Sequence, residues 1–307
     1  MKRKLTVGDW IFNTVNVILM LIIVVATLYP FLNAFAISLN DADDTTRGGI
    51  TIYPRVFTLR NYELIFENPK IYTAYMITIS RTVIGTILGL LFTATLAFGM
   101  AHRNLVGRRF YTILCLIPMY FGGGLIPYYF LVRSLGLMNS FWVYIIPGLV
   151  GIWNMILMRT YFQGIPEALE ESARIDGASY FTVFFKIILP ISKPILATIA
   201  LFIGVGHWNS WFDANIFITK QELKPMQNVL LQIISEARFA EQLARAATSA
   251  GGTGTTLDAG NIGRNIKVNV RSITMATMIV TVIPIIMVYP FLQRYFIQGI
   301  MIGSLKG

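Results

Sequence analysis

The sequence predicts an all-α integral membrane protein, and three features support that prediction. Of its 307 residues, 55% are hydrophobic and 13% are charged, whereas a soluble domain carries about 25% charged residues. The mean hydropathy is +0.63. The apolar residues form long runs that reach the roughly 20 residues needed to cross a bilayer. Because lipid offers no partner for backbone groups, each crossing run should be helical.

Six runs pass this length test, and we predict one transmembrane helix in each. The first run is too long for the apolar core of a signal peptide, about 7–15 residues, so we expect it to be an uncleaved span. Gly122, Gly123 and Gly124 before Pro127 predict that the third span ends in irregular backbone. The predicted spans are 11–39, 72–101, 110–132, 140–159, 191–218 and 272–296.

The net charge of +10 is spread between the apolar runs rather than gathered in one patch. It therefore predicts membrane topology and not nucleic-acid binding. An even number of spans places both termini on one side. Short segments on that side are rich in cations, which predicts that it is cytoplasmic. These cations are Lys2, Arg3, Lys4, Arg103, Arg108, Arg109, Arg294 and Lys306.

Two longer connections, 40–71 and 220–271, are then predicted to lie outside. The second carries seven Lys or Arg against four acids, but long loops weigh little in the charge rule. Residues 57–66 have the pattern of a short amphipathic helix capped by Thr58, and 225–247 also have helical periodicity. The segment 249–263 is rich in Gly, Thr and Ser, which is typical of a flexible loop.

The sequence offers no site for catalysis, metal or nucleotide. Cys115 is the only cysteine, and His102 and His207 have no metal-ligand spacing. The phosphate-binding pattern Gly-x-x-x-x-Gly-Lys-Ser/Thr is absent from the sequence. We therefore expect no catalytic residue, no metal and no cofactor in this chain.

A helix, a glycine turn and a second helix are predicted between the fourth and fifth spans. Residues 167–175 are good helix formers with acids early, Gly177 can end that helix, and Ser179 can cap the next. Tyr180, Val183 and Phe184 form an apolar stripe on the second helix. Such a hairpin could lie on the lipid surface, pack on its own bundle or dock into a partner's groove.

This hairpin resembles the EAA loop of ABC importer permeases, which has Glu-Ala-Ala, three residues, glycine, nine residues and Ile-x-Leu-Pro. Ser172 replaces the first alanine and is similarly small. Fixed spacing over about twenty residues makes the resemblance specific. The matching residues are Glu171, Ala173, Asp176, Gly177, Ala178, Ile187, Leu189 and Pro190.

The stretches 58–62 and 289–307 also resemble the carbohydrate branch of these permeases, which includes the maltose-system permease. Within that branch, the ending is most similar to the subgroup importing oligosaccharides from plant or algal polysaccharides. The resemblance implies one half of a type I importer in the cytoplasmic membrane of a bacterium. It also implies the following partners: a second homologous permease, a dimer of ATP-binding subunits that hold ATP and Mg²⁺, an extracellular solute-binding (lipo)protein, and a sugar.

The resemblance implies that the loop 164–190 forms the coupling helix that docks on the ATPase. Glu171 would contact an ATPase arginine; alternatively it caps its helix or pairs with Arg174. The coupling candidates are Glu170, Glu171, Ser172, Ala173, Asp176, Gly177, Ala178, Ser179, Tyr180, Val183, Phe184 and Pro190.

Polar and aromatic residues inside spans four and five are candidates for a sugar path, because sugars present apolar ring faces and hydroxyl edges. Tryptophan anchoring and interhelical asparagine bonds are the alternatives. Arg81 is expected to snorkel to lipid headgroups, and Asp213 to pair with a cation or be solvated. The path candidates are Trp153, Asn154, His207, Trp208, Asn209, Trp211 and Asp213.

Two other classes remain as alternatives. A secondary transporter or channel subunit would often have inverted repeats or discontinuous helices, and the sequence predicts neither. A membrane enzyme would need paired acids with a metal or a nucleophile with a base. Glu167, Glu170 and Glu171 lack a nearby histidine in the sequence.

Overall fold

The computed structural model describes residues 6–249, 271–288 and 290. Within these residues the chain is helical, and its β pairing is confined to an isolated bridge between Asn40 and Phe57. The chain divides into two compact units. The first comprises Met1–Pro69 with Leu230–Val282, and the second comprises Lys70–Val229 with Ile283–Gly307. The single permease domain stays a prediction.

The helices vary greatly in length. Short 3-10 turns at Phe141–Tyr144, Ile146–Gly148 and Gln221–Leu223 connect some of them. The α-helices in chain order are α1 (Val7–Ser38), α2 (Ala42–Thr45), α3 (Arg60–Phe66), α4 (Pro69–Ala101), α5 (Arg108–Tyr120), α6 (Leu125–Ser134), α7 (Ile152–Phe162), α8 (Glu167–Ile175), α9 (Tyr180–Val183), α10 (Leu189–Ile191), α11 (Lys193–Asn209), α12 (Phe212–Phe217), α13 (Met226–Ser249) and α14 (Arg271–Val288).

Three of these helices, α1, α4 and α14, are each long and apolar enough to cross a membrane. The other predicted spans are interrupted. The pair α5 and α6 bends by 116°, the 141–148 segment and α7 by 48°, and the 180–191 segment and α11 by 85°. The described helices therefore supply three to six crossings, and the count of six stays a prediction.

The expectation that discontinuous helices are absent was wrong, because the chain breaks where glycine or an extended residue interrupts the helical backbone. Gly124 has a φ of +85° between α5 and α6, which confirms irregular backbone near 122–127, although it interrupts the predicted span 110–132 rather than ending it. Ser210 is extended after α11, with a φ of −74° and a ψ of 125°. The predicted fifth span 191–218 thus consists of two helices, α11 and α12.

A buried polar network holds the connection after α1 in the first unit. Asn40 is fully buried, and its amide donates to Asp44 Oδ2 and Thr45 Oγ1, both at 3.0 Å. Arg55 Nε donates to the same Asp44 oxygen at 3.0 Å. Asn61 donates to the Ser38 and Asn40 carbonyls. The hydrogen bond from Asn40, opposed by burial and aided by Arg55, lowers the pKa of Asp44 below its usual 3.8.

The predictions for the longer connections are met in part. Helix α3 begins at Arg60, and the residue before it, Leu59, makes no side-chain cap. Thr58 Oγ1 accepts a hydrogen bond from the Arg60 amide at 3.1 Å, but Thr58 lies one residue before the N-cap position. The helix predicted over 225–247 is confirmed as α13. Beyond Ser249, the predicted flexible loop lies outside the described residues, as does nearly all of the carboxyl-terminal stretch.

Two apolar clusters form the core of the second unit. One joins the later part of α4 to α7, the 183–188 segment and α11; the other joins α6, the 141–145 turn and α12. The first contains Ala94, Ala97, Met100, Met155, Met158, Phe162, Val183, Phe184, Ile188 and Ile199. The second contains Val132, Leu137, Val143, Tyr144, Ile145, Ala214, Phe217 and Ile218.

Candidate functional site

The hairpin predicted between the fourth and fifth spans forms as expected. Helix α8 ends at Ile175, and Gly177 follows with a φ of +83°, a conformation that glycine adopts without strain. Ser179 caps α9 by accepting the Thr182 amide at 3.3 Å. A π-helical turn, Phe184–Ile188, then joins α9 to α10, which contains Pro190. The predicted local structure is therefore confirmed.

The hairpin has one buried and one exposed face. Val183 is fully buried and Phe184 is 3% exposed, and both belong to the apolar core of the second unit. On the other face, Ile175 is 86% exposed and Phe181 is 74% exposed. The hairpin is thus fixed to its own bundle by one face while it presents apolar side chains on the other.

The predicted coupling residues divide between these faces. Glu171 is exposed, and in the described part of the chain it makes no ion pair, with Arg174 or any other residue. The Arg174 guanidinium instead lies over the Tyr180 ring, 4.6 Å from its centre. The exposed candidates are Glu171, Ser172, Asp176, Gly177, Ser179, Tyr180 and Pro190; the half-buried ones are Glu170, Ala173 and Ala178; the buried ones are Val183 and Phe184.

Residues at the end of α4 also hold the hairpin. Arg103 Nε lies 3.0 Å from Glu167 Oε1, and His102 Nδ1 lies 3.6 Å from Glu170 Oε2. The His102 ring also meets Tyr180 edge to face, with centroids 5.7 Å apart. A groove of about 780 Å³ opens between the α4 end and the hairpin. The sequence predicted only a role in membrane topology for Arg103. The adjacent basic residues His102 and Arg103 at the end of a helix could have indicated a contact with the acids of α8.

The second candidate region is the interruption between α11 and α12. Of the predicted path residues, Trp153 and Asn154 lie on α7, whereas the other five flank this interruption. Their exposure differs: Trp153 and Trp211 are 58% and 43% exposed, and Trp208 is 8% exposed. His207, Asn209 and Asp213 are half-buried, exposed and half-buried, respectively.

Arg81 lies at this interruption, and the expectation that it snorkels to lipid headgroups was wrong. Its side chain is 1% exposed. Its Nη1 donates to the Ser210 carbonyl at 3.0 Å, and its guanidinium lies over the Tyr144 ring, 4.2 Å from the centroid. Its Nη2 is 3.8 Å from Asp213 Oδ2. The break in the helix leaves the Ser210 carbonyl without a helical partner, and the Arg81 side chain turns inward to donate to it. Asp213 pairs with a cation, as one of the two predictions for it had stated.

Helix α4 supplies hydrogen bonds at two further interruptions of the backbone. Thr78 Oγ1 accepts the amide of Met226, the first residue of α13, at 2.8 Å. Thr93 Oγ1 donates to the Leu149 carbonyl at 3.4 Å, just before α7. Interrupted helices survive in membrane proteins only where neighbours satisfy the freed backbone groups. Helix α4 therefore supplies side-chain partners to the backbone next to α7, α12 and α13.

Metal binding has no support in the described residues, where no group of three or more His, Cys, Asp or Glu is arranged to hold an ion. Cys115 is half-buried and is not part of a disulfide. What the described residues do bring together is an anchored hairpin with an exposed face and a polar interruption inside an apolar bundle. This combination is typical of a membrane-embedded transport subunit.

A family model agrees with this class and makes it specific. The model of the binding-protein-dependent transport system inner membrane component matches residues 82–302. The chain belongs to this family. The match includes the hairpin, Ser210 and Asp213, whereas Arg81 immediately precedes it. This chain has discontinuous helices, as secondary transporters often do, so that feature does not distinguish the two classes. The family match does.

Similar proteins extend the match to nearly the whole chain. Protein LplC of Bacillus subtilis (strain 168) is 35% identical over 297 residues, covering 97% of this chain and 95% of that protein. The polygalacturonan/rhamnogalacturonan transport system permease protein YtcP of the same organism is 35% identical over 278 residues, covering 91% of this chain and 92% of that protein. The crystal structure of a bacterial ABC transporter involved in the import of the acidic polysaccharide alginate contains a chain that matches with a TM-score of 0.83 at 28% identity, covering 96% of this chain and 100% of that one.

Proposed function

We propose that this chain is the permease subunit of an ATP-driven importer for sugars or oligosaccharides, forming half of the translocation path. The names of its relatives support the substrate class. They include permease proteins for polygalacturonan/rhamnogalacturonan and, at 29% identity, for arabinooligosaccharides in Halalkalibacterium halodurans. The similarity to a chain of an alginate importer supports it further.

The observation that carries this proposal is the two-faced hairpin. Val183 and Phe184 bury one face in the core, while Ile175 and Phe181 leave the other exposed. A short helix with exposed apolar side chains is suited to the groove of a partner protein. Because the hairpin is fixed to the bundle, movement of that partner would pass into the membrane helices.

Charge favours a protein partner over the lipid surface. Helices that lie on membranes usually carry Lys or Arg on the polar face. Helix α8 instead carries three acids, Glu167, Glu170 and Glu171, against one cation, Arg174. We infer that the partner is a separate ATPase, that Glu171 contacts one of its arginines, and that the ATPase holds the ATP and Mg²⁺.

The remaining parts of the proposal concern assembly and topology. The importer would contain a second homologous permease, a dimer of ATP-binding subunits and an extracellular solute-binding (lipo)protein. Counting the interrupted predicted spans 110–132, 140–159 and 191–218 as one crossing each, beside α1, α4 and α14, gives six spans, which would place both termini on the cytoplasmic side of a bacterial cell membrane. The hairpin would then face the cytoplasm.

Co-purification of the chain with a candidate second permease and ATPase tests this proposal. Phe181→Asp should reduce retention of the ATPase by about tenfold, because it places a charge in an apolar contact that the chain's own core does not need. Tyr53→Asp is the matched control, since Tyr53 is an equally exposed aromatic residue, at 80%, outside the hairpin. Full retention of the ATPase by Phe181→Asp would refute docking through this face.

A further inference from the structure

Arg81 is a buried charge inside a helix long and apolar enough to cross the membrane. Ionisable residues in such positions are costly, and they usually mark a functional pathway with an identifiable partner. A role limited to the Ser210 carbonyl would not require a charge, because a neutral donor could satisfy that group. The position of Asp213 supplies the reason for the charge.

Within the described residues, the contacts that hold the Asp213 side chain are made to one carboxylate oxygen. Arg81 Nη2 lies 3.8 Å from its Oδ2, and the Ser210 hydroxyl donates to the same oxygen at 3.1 Å. The Asp213 side chain is 30% exposed. In the part of the chain that the structure describes, its other oxygen, Oδ1, receives no hydrogen bond of its own. A carboxylate held this way keeps one oxygen free to accept a hydrogen bond.

Arg81 is itself held in place. Its guanidinium lies over Tyr144, whose hydroxyl donates to the Leu223 carbonyl at 2.7 Å. Tyr144 is 3% exposed and belongs to the second apolar cluster. The cation behind Asp213 is therefore fixed by packing and by hydrogen bonds, as residues that orient a binding group need to be.

The groups next to Asp213 along the chain fit a sugar. Asn209 is exposed at the end of α11, and Trp211 is 43% exposed between the two helices. An amide and a carboxylate suit sugar hydroxyl groups, and an indole suits the apolar face of a sugar ring. The interruption between α11 and α12 places all three groups within five residues.

We propose that Arg81 is a positioning residue that fixes Asp213, so that the free carboxylate oxygen accepts a hydrogen bond from a sugar hydroxyl at the break between α11 and α12. This inference rests on the proposed sugar import. It assigns Arg81 an indirect role, because its buried side chain acts through Asp213. A purely structural ion pair would predict a different pattern of mutant effects.

The test uses the complete transporter with its binding protein in proteoliposomes, and measures uptake of radiolabelled galacturonic acid trisaccharide and of arabinotriose. Arg81→Met and Asp213→Asn should each raise the apparent KM by about tenfold or more with little change in maximal rate, and the double variant should be no worse than either single one, because the two residues act as a unit. Glu222→Gln, an exposed acid on a nearby 3-10 turn, should leave both parameters unchanged.

Three results of this uptake assay would overturn the proposal. Recovery of wild-type uptake in the double variant would make the pair purely structural, because neutralising both partners would then cure the defect. If the losses of the two single variants multiplied in the double variant, Arg81 and Asp213 would act independently. A loss of maximal rate at unchanged KM would also contradict a role in holding substrate.

A second measurement separates this inference from the proposed substrate class. Uptake of neither probe by the wild-type transporter would refute the substrate class alone. The positioning role is then decided by labelling Asn215→Cys, an exposed site on α12, with a membrane-impermeant maleimide in a Cys115→Ser background. Arg81→Met should change the labelling rate by about fivefold or more, because α12 loses its polar contacts with α4. An unchanged rate would overturn the positioning role.

Discussion

The hairpin and the interruption between α11 and α12 place charge in opposite ways. The hairpin leaves Glu171 exposed and unpaired within the described residues, and its turn is formed by local contacts, such as the Ser179 cap three residues from Thr182. The interruption buries Arg81, whose hydrogen bond to Ser210 joins residues 129 positions apart. The local shape of the hairpin follows from its own sequence, whereas the charge pairing at the interruption depends on contacts between distant segments.

This difference separates two kinds of functional surface. A surface meant for another protein can keep its polar groups in water until the partner arrives, so it needs few contacts of its own. A polar group inside an apolar bundle must find its partners within the chain, because no water is available to replace them. Substitutions should therefore act on partner binding at the exposed hairpin face and on folding or transport at the buried positions.

The largest expected effect lies on the buried face of the hairpin. Phe184→Ala should lower the free energy of unfolding by about 3–5 kcal/mol, because it leaves a cavity in a packed core. Phe181→Ala, on the exposed face, should change it by less than about 0.5 kcal/mol. Thermal denaturation of the purified chain in detergent measures both, and equal destabilisation would show that the two faces are not distinct.

A smaller effect is expected where α11 packs on α4. A methyl group at Gly85 would lie within 2.7 Å of two carbons of the His207 ring, so Gly85→Ala should destabilise the chain by about 1–3 kcal/mol. At Gly89 the added methyl would lie 3.5 Å from Ile203, an ordinary contact, so Gly89→Ala is the matched control. The same denaturation assay applies. Failure of His207→Ala to relieve the Gly85→Ala defect would argue against this close contact.

The turn of the hairpin should show a purely backbone effect. Gly177 has a positive φ, and nothing lies within 4 Å of an added methyl. Gly177→Ala should therefore cost about 1–2 kcal/mol from conformation alone. Gly122→Ala, where there is equal space and no positive φ, should not show this cost. Similar denaturation midpoints for the two variants would contradict a left-handed requirement at 177.

The smallest effect concerns pH and the polar network of the first unit. The pKa of Asp44 is lowered in the folded chain, mainly by Asn40 and also by Arg55. The unfolded chain then binds the proton more readily, so this stabilisation is present above the usual pKa of 3.8 and is lost as the pH falls through the lower folded value. Asp44→Asn should reduce the acid dependence of the denaturation midpoint. An identical acid profile would exclude this contribution.

The sequence predicted the hairpin well because local rules determine it. The end of α8, the glycine turn at Gly177 and the cap at Ser179 follow from helix-terminus chemistry within a few residues. Long apolar runs likewise predicted α1 and α4, because composition and length suffice for a continuous crossing. These features need no knowledge of which other helix lies nearby.

The candidate site inside the bundle could be predicted only in part. Five of the seven residues 207–213 were identified by their polar and aromatic character, but the break at Ser210 was not. The local sequence around Arg81 is the same whether its side chain extends to the headgroups or turns into the bundle. The local pattern therefore does not predict the inward orientation. The contacts of His102 and Arg103 with α8 also depend on packing. Long-range partners decide each of these features.

The π-helical turn Phe184–Ile188 has a consequence for how the hairpin tolerates change. Such a turn contains the equivalent of one inserted residue, and each residue of an α-helix rotates the chain by about 100°. The turn therefore sets an angular offset between α9 and the helix that follows. Deleting one residue from it would redirect the side chains of α9, so that the hairpin keeps its composition but points a different face toward its neighbours.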